Sequence, residues 1–538
     1  LEVGLHGLDV PESVRAQLAE DDVAARLVRK DATLWGPEAE SEAAVRLGWL
    51  DLPASSRRMV SQLADLRAEL AREGLDRIVL CGMGGSSLAP EVMCRTAGLP
   101  LVTLDTTDPG QVAAAMTDLD RTVVVVSSKS GGTVETDSHR RAFLAAFAEA
   151  GLDEKEIGAR FVVVTDPGSP LAGTAAEMGA RAVFLADPTV GGRYSALSAF
   201  GLVPAALAGA DVGALLDAAE ELAEHLATSD NPALELGIAL GAAFRNGRDK
   251  LALADGGSRS DGTAIQGFGD WAEQLIAEST GKQGRGILPV VVESVDAPGS
   301  SGPDVLLAVV GADAPSTAPS VGVRGPLGAQ FLGWEYATAV AGRILGINPF
   351  DQPNVTESKE NTQRILAEGL PEERPVATVG AIEIYGGGAL EGPLDGGELS
   401  SDDGVRRALD ALLASIPPRG YLAVMAYLNR EGDASARDLR EALASLTEHA
   451  VTFGWGPRFL HSTGQYHKGG PEVGAFLQIT GAVAEDLPVP DRPFTFGRLQ
   501  AAQAAGDRKA LADRGRPLLH LHLTDRAAGL GQLLAALG

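Results

Sequence analysis

Along the first half of the chain, short unbroken apolar runs alternate with segments in which apolar residues recur every three or four positions, and several runs end at glycine and serine. The clearest run is four consecutive valines at 123–126. β-Branched residues with no polar alternation predict a strand covered on both faces, as in a parallel sheet with helices on either side. Similar runs at 77–80, 100–104, 122–126, 160–165 and 181–185 are separated by segments of helical period. They predict a five-stranded parallel αβα sandwich. Ahead of it, residues 11–29, 38–47 and 55–73 carry helical periodicity, with Trp35 and Trp49 as packing anchors, so the N-terminal segment is expected to be helical.

After a long helical stretch at 211–246, the pattern starts again. A strand at 250–254 runs into a Gly-Gly-Ser turn at 256–258, followed by a helix at 270–280, strands at 287–292 and 305–310, and a helix at 328–345. The last third predicts strands at 382–385, 421–427, 451–454, 475–480 and 518–523, with the glycine-rich stretch 385–397 read as a mobile loop. The expected organisation is α/β with mainly parallel sheets: a helical segment at 1–54, one sandwich at 55–210, a second at 211–364, and a C-terminal region at 365–538 that completes or flanks the second.

The length of 538 residues exceeds what a single core organises. A formal net charge of −27 argues against nucleic acid or an anionic membrane surface as a partner, so any anion site has to be local. Two cysteines, Cys81 and Cys94, cannot build a disulfide framework. With no apolar run long enough to span a bilayer and no basic-then-apolar leader at the start, the expected compartment is the cytoplasm.

Candidate chemistry begins where the valine run stops. Ser128, Ser130 and Thr133 offer hydroxyls, Lys129 a cation, and Gly131 and Gly132 bare backbone amides, ahead of a helix whose first turn adds unpaired N–H groups. The string suits a phosphate seat, though an ordinary strand-to-helix turn could carry it too. Strand 77–80 ends in a comparable turn, Gly82 to Ser87. Its spacing departs from a dinucleotide fingerprint. Both turns fall at carboxyl ends of strands, where ligands bind in open α/β sheets. Arg193, between Gly192 and Tyr194, could fork onto oxygens or simply solvate a turn. Gln274 and Glu278 share one face of helix 270–280, and a carboxylate in its last turn meets the negative end of the dipole, which raises its pKa toward that of a general base. Glu278 could equally be a solvated helix charge. Gln352 and Lys359 lie seven residues apart around Pro353, close enough for one site or merely polar surface.

Together the segments GMGGSS (82–87), SKSGGT (128–133), VGGRYS (190–195), QLIAESTGK (274–282) and INPFDQPNVTESK (347–359) resemble the phosphoglucose isomerase family, over roughly 78–359. The resemblance implies two sugar-isomerase (SIS) sandwiches with the site between them, and interconversion of glucose 6-phosphate and fructose 6-phosphate through a cis-enediolate. It implies that Ser128, Ser130, Thr133 and the Lys129 backbone hold the phosphate, and that Gly85 and Ser86 line the sugar. Arg193 then steadies the enediolate, Glu278 is the base, and Gln274, Gln352 and Lys359 line the site. Neither cofactor nor metal is expected, and a homodimer is possible. The family's ring-opening histidine lies between the base and the Gln/Lys segment, where this chain has none. The nearest likeness, HSTGQYHKGG at 461–470, comes after it, an order that resembles the isomerase part of transaldolase/isomerase fusions. Within it His467, close to the family's GQH, is expected to open the ring rather than His461. The alternatives are an isomerase of another hexose with an anion at C6, such as mannose 6-phosphate or sulfoquinovose, and a non-catalytic sugar-phosphate-binding SIS protein.

Overall fold

A computed structural model describes residues 1–257, 264–390, 392, 394 and 396–538. The first sheet has five parallel strands in the order Val102–Leu104, Arg77–Gly82, Thr122–Ser127, Phe161–Thr165, Ala182–Leu185. Its central run is apolar without alternation because both faces are covered. Val123 and Val125 pack with Phe200 and Leu202 of helix Ala199–Ala208, whereas Val124 and Val126 pack with Phe143 and Phe147 of helix Val134–Glu149.

The second sheet runs in the order Glu2–His6, Ser320–Arg324, Val305–Val310, Lys250–Asp255, Leu288–Val291. Two of these strands depart from expectation. The N-terminal segment opens as a strand, Glu2–His6, antiparallel to Ser320–Arg324 at the sheet edge, before its helices begin. Ser320–Arg324 itself lies in what reads as a Pro-, Ser- and Gly-rich loop. Each segment carries a glycine at its centre, which weakens a strand signal, and the two are held by pairing with one another from positions distant in sequence. The helix expected over 11–29 is two, Glu12–Glu20 and Val23–Val28, separated where Asp22 takes φ +48°. The turn expected at 256–258 runs at Ser258 into residues outside those described.

The C-terminal strands do not extend the second sheet. They build a six-stranded sheet of their own, in the order Ala377–Val379, Ile382–Gly387, Leu518–Leu523, Gly474–Gly481, Tyr421–Tyr427, Ala450–Trp455. Tyr385 to Gly387 of the expected loop belong to its second strand. Tyr421, Ala423, Met425 and Phe476 share one buried cluster with Ala252, Leu288, Leu307 and Val309 of the second sheet. The C-terminal layer therefore lies against the second sandwich. It brings the HSTGQYHK segment, folded as the turn Arg458–His461 and the helix Gly464–Gly469, onto the end of helix Phe268–Thr280. Among the described residues no helix is long and apolar enough to cross a membrane.

Candidate active site

The loop after Thr122–Ser127 is held open by its own hydroxyls. Ser128 Oγ lies 3.0 Å from Thr133 Oγ1 and accepts from the Gly131 N–H at 3.2 Å, while Ser130 Oγ accepts from the Gly132 N–H at 3.2 Å. Gly131 sits at φ +69°, which a side chain would strain. Thr133 stands at the N-cap position of Val134–Glu149 without a side-chain capping bond, so the first-turn amides lie beside these hydroxyls and keep their N–H groups open. Lys129 does not add its charge here: its ammonium pairs with Asp166 and faces the Pro188 carbonyl. Only its backbone remains at the loop.

The glycine turns of the other two segments meet directly. A Cβ on Gly85 would lie 1.9 Å from the Gly192 carbonyl oxygen. The turns Gly84–Ser86 and Gly192–Tyr194 therefore pass backbone against backbone, and Ser195 Oγ donates to the Gly192 carbonyl at 2.6 Å. This contact fixes Arg193, whose side chain is 3% exposed. Arg193 donates from Nε to Ser279 Oγ (2.8 Å) and from one terminal nitrogen to the carbonyls of Pro349 (2.6 Å) and Asp351 (2.9 Å). Its other terminal nitrogen is 3.5 Å from both Glu278 Oε2 and Gln352 Oε1. The guanidinium is thus aimed by three neutral acceptors and keeps one edge toward a carboxylate.

Glu278 is buried on helix Phe268–Thr280, with Gln274 Nε2 donating to its Oε1 at 3.4 Å. Burial pushes its pKa above the ordinary glutamate value, against the downward pull of Arg193, Gln274, His461 and Lys282. The upward direction expected from the helix terminus holds, but desolvation is its main cause. Lys282, just past the helix, is buried and donates to Asp351 Oδ1 and the Asp351 carbonyl, both at 2.6 Å. Burial and Arg193 lower its pKa to about 8.

His461 and His467 part company. His461 Nε2 lies 3.1 Å from Glu135 Oε1, and its backbone carbonyl is 3.0 Å from where a Cβ on Gly84 would stand. The same Glu135 oxygen accepts from Gln503 Nε2 at 2.7 Å, and Thr107 Oγ1 donates to Gln503 Oε1 at 2.7 Å. Burial would raise the Glu135 pKa, but His461, with a lesser contribution from Lys359, holds it low. A cavity of about 130 Å³ joins this group to the hydroxyl loop, lined by Ser130, Thr133, Glu135, Lys359, His461 and Gln503. His467, by contrast, is packed among Phe476, Phe459 and Tyr421, with ring centroids 5.2 to 6.2 Å away. Neither of its ring nitrogens has a hydrogen-bond partner among the described residues, and burial holds its pKa well below the ordinary value. The expectation for His467 is therefore corrected: it is a core residue, and His461 is the histidine at the cavity.

Glu135, Gln503 and Lys282 escaped the sequence reading. Glu135 was accessible in principle, as a carboxylate in the first turn after the hydroxyl loop. Gln503 carries no local signal at all.

A neighbouring helix position makes a separate point. Glu273 is buried, accepts from Ser462 Oγ at 2.9 Å, and is raised to about 8 by burial and Asp270. A carboxyl whose folded pKa lies above its unfolded value of 4.5 stabilises the fold in its protonated form below that value. The contribution is lost as pH rises toward about 8. Stability is expected to fall by on the order of a few kcal/mol between pH 5 and 9, and the melting temperature with it. Glu273→Gln should flatten that slope, as calorimetry across the range would show; an unchanged slope would contradict the assignment.

The family model for phosphoglucose isomerase matches residues 67–249. A glucose-6-phosphate isomerase of Rubrobacter xylanophilus is 30% identical over 390 residues, covering 59% of this chain and 88% of that one. One from Geobacter sp. (strain M21) is 37% identical over 220 residues, covering 38% of this chain and 40% of that one. Among solved structures, a hypothetical protein of Thermus thermophilus superposes with TM-score 0.55 at 26% identity, covering 68% of this chain and all of that one. A glucose-6-phosphate isomerase of Chlamydia trachomatis superposes with TM-score 0.53 at 21% identity, covering 66% of this chain and 85% of that one, a likeness of fold.

Proposed function

The chain belongs to the glucose-6-phosphate isomerase family, and we propose that it interconverts glucose 6-phosphate and fructose 6-phosphate through a cis-enediolate, with Glu278 as base and Arg193 as the cation facing the enediolate. The observation that carries the reading is the buried pair itself: a carboxylate of raised pKa held 3.5 Å from a guanidinium fixed by neutral acceptors. Moving a proton between adjacent carbons needs a base that takes it from C2 and returns it to C1. The enediolate formed between the two steps puts negative charge on oxygen, which a fixed guanidinium stabilises more than it does the neutral sugar. The phosphate lies on Ser128, Ser130, Thr133 and the backbone of Lys129 to Thr133, remote from the reacting carbons, where it orients them. Gly85 and Ser86 flank the sugar, with Gln274 and Gln352 beside the carboxylate and guanidinium. Ring opening falls to His461, oriented by Glu135. It delivers a proton to the ring oxygen while the anomeric hydroxyl passes its own to water in the cavity, from which the imidazole is reprotonated, and Lys359 on the same cavity wall assists. A coupled assay on glucose 6-phosphate, with loss of label from the 2-deuterated substrate, tests the reaction. Partial loss of deuterium to solvent, with the remainder at C1 of fructose 6-phosphate, is the expected result; no turnover, or turnover that carries all of the deuterium to C1 with no exchange even on prolonged equilibration, would refute it.

Two smaller effects follow. Thr133→Ala and Ser128→Ala are each expected to raise KM for the sugar phosphate about tenfold, since a charged acceptor that loses a hydrogen-bond donor costs about 1 to 3 kcal/mol. Unchanged KM in both variants would reduce the loop to a turn. His467→Leu is expected to leave kcat within about twofold, because it replaces an unpartnered buried imidazole by an apolar group in an aromatic setting. A dead but folded His467→Leu enzyme would give ring opening back to His467.

A further inference from the structure

One feature of the C-terminal sheet is unrelated to isomerisation. Its two faces differ sharply in character. One is apolar, with Ile382, Ile384, Leu477, Ile479, Leu519 and Leu521 in a single buried cluster. On the other, adjacent strands align two polar ranks, Glu383–His522–Thr480 and Tyr385–His520–Gln478. A face buried merely for packing has no use for six polar side chains in register. These groups are tied to one another. Thr480 Oγ1 is 2.9 Å from His520 Nε2 and 2.8 Å from His522 Nδ1, Tyr385 Oη donates to Glu383 at 2.7 Å, and the Tyr385 ring stacks on His520 with centroids 4.9 Å apart.

Above them lies a cavity of about 280 Å³, roofed by helix Phe496–Ala512 through the small residues Gly497, Ala501 and Ala504. Three groups lining it, all more than nine-tenths buried, keep an atom without a hydrogen-bond partner among the described residues: Tyr427 Oη, Gln500 Nε2 and His520 Nδ1. Buried polar atoms left unpaired are costly and ask for a partner.

From this juxtaposition we propose that the cavity is a second binding site, for a small uncharged polyhydroxylated molecule of monosaccharide or cyclitol size. The donor set decides the class. Gln500 supplies an N–H group, while the Glu383 carboxylate only accepts, and a hydroxyl is the group that serves both. An anion is disfavoured because Arg508 is already committed to Glu373 (3.0 Å) and Gln478 (2.8 Å), leaving Glu383 uncompensated. A metal ion is disfavoured too, since among the described residues no group of three His, Cys, Asp or Glu side chains is arranged to hold one.

The experiment is saturation-transfer NMR on the full chain with glucose and with myo-inositol. Sorbitol 6-phosphate, which has no carbonyl to isomerise, is held in excess to occupy the sugar-phosphate site. Saturable binding that persists with sorbitol 6-phosphate is expected, weakened at least about tenfold by Gln500→Leu, which loses a buried donor, and by Ala501→Leu, which fills the cavity. Both variants should keep wild-type isomerase turnover. Absence of saturable binding, displacement by sorbitol 6-phosphate, or unchanged affinity in the two folded variants would each overturn the proposal, leaving the cavity to water.

Discussion

Glu278→Gln is expected to lower kcat by at least about 10³-fold, near the upper range of general acid–base catalysis. Affinity for a non-isomerisable sugar phosphate should stay within about threefold, because only uniform binding contacts are left to set it. The amide keeps the shape of the carboxylate and still offers an oxygen to Gln274 and Arg193, but it cannot take a proton from carbon. The wild-type pH profile supplies an independent check. Only the ionised carboxylate is a base, so activity should fall as pH drops through the Glu278 pKa, with a midpoint above the ordinary 4.5. Arg193 pulls that pKa down. Arg193→Met, besides losing most of the rate, should therefore move the acid limb to higher pH. A Glu278→Gln enzyme with near-normal turnover would remove the base from the proposal, and a limb shifting to lower pH in Arg193→Met would contradict the pairing of the two residues.

His461→Ala is expected to cost about 10²- to 10³-fold on ring-closed substrate, the typical contribution of a positioned acid–base group. Hydrogen exchange at C2 of an aldose phosphate that cannot close, such as erythrose 4-phosphate, should lose far less. The difference arises because proton abstraction is assigned to Glu278, and His461 is needed only while a ring oxygen has to be protonated. Glu135→Gln should give a smaller loss of the same kind. It keeps an oxygen near His461 Nε2 at 3.1 Å and near Gln503 at 2.7 Å but removes the carboxylate charge beside the imidazole. Equal losses on closed and open substrates would place His461 in the isomerisation step itself.

The reaction class and much of the site could be read from local sequence because each of those signals is local. The valine run, the hydroxyl loop after it, and Gln274 and Glu278 one helical turn apart depend on residues within a few positions of one another. The five strands of the first sheet follow from the same kind of signal, and so do the five strands expected after residue 365. Where those last strands would go was not legible. Strand periodicity reports which residues face inward but not against which layer, so the sequence did not distinguish an extension of the second sheet from a separate one.

By itself, then, the sequence determined an α/β chain with two glycine- and serine-rich turns at strand ends, one of them rich in hydroxyls, and a carboxylate one helical turn from a glutamine, since backbone propensity and turn chemistry act over short range. Only the tertiary structure decided between two histidines six residues apart. His461 meets Glu135 across 326 positions and Glu135 meets Gln503 across 368, whereas His467 turns into an aromatic core. It also decided that Lys129 gives its charge to Asp166 and that burial, more than the helix dipole, raises Glu278. The physical reason is common to all three. Desolvation and ion pairing depend on what the rest of the chain packs against a side chain, and no local pattern carries that information.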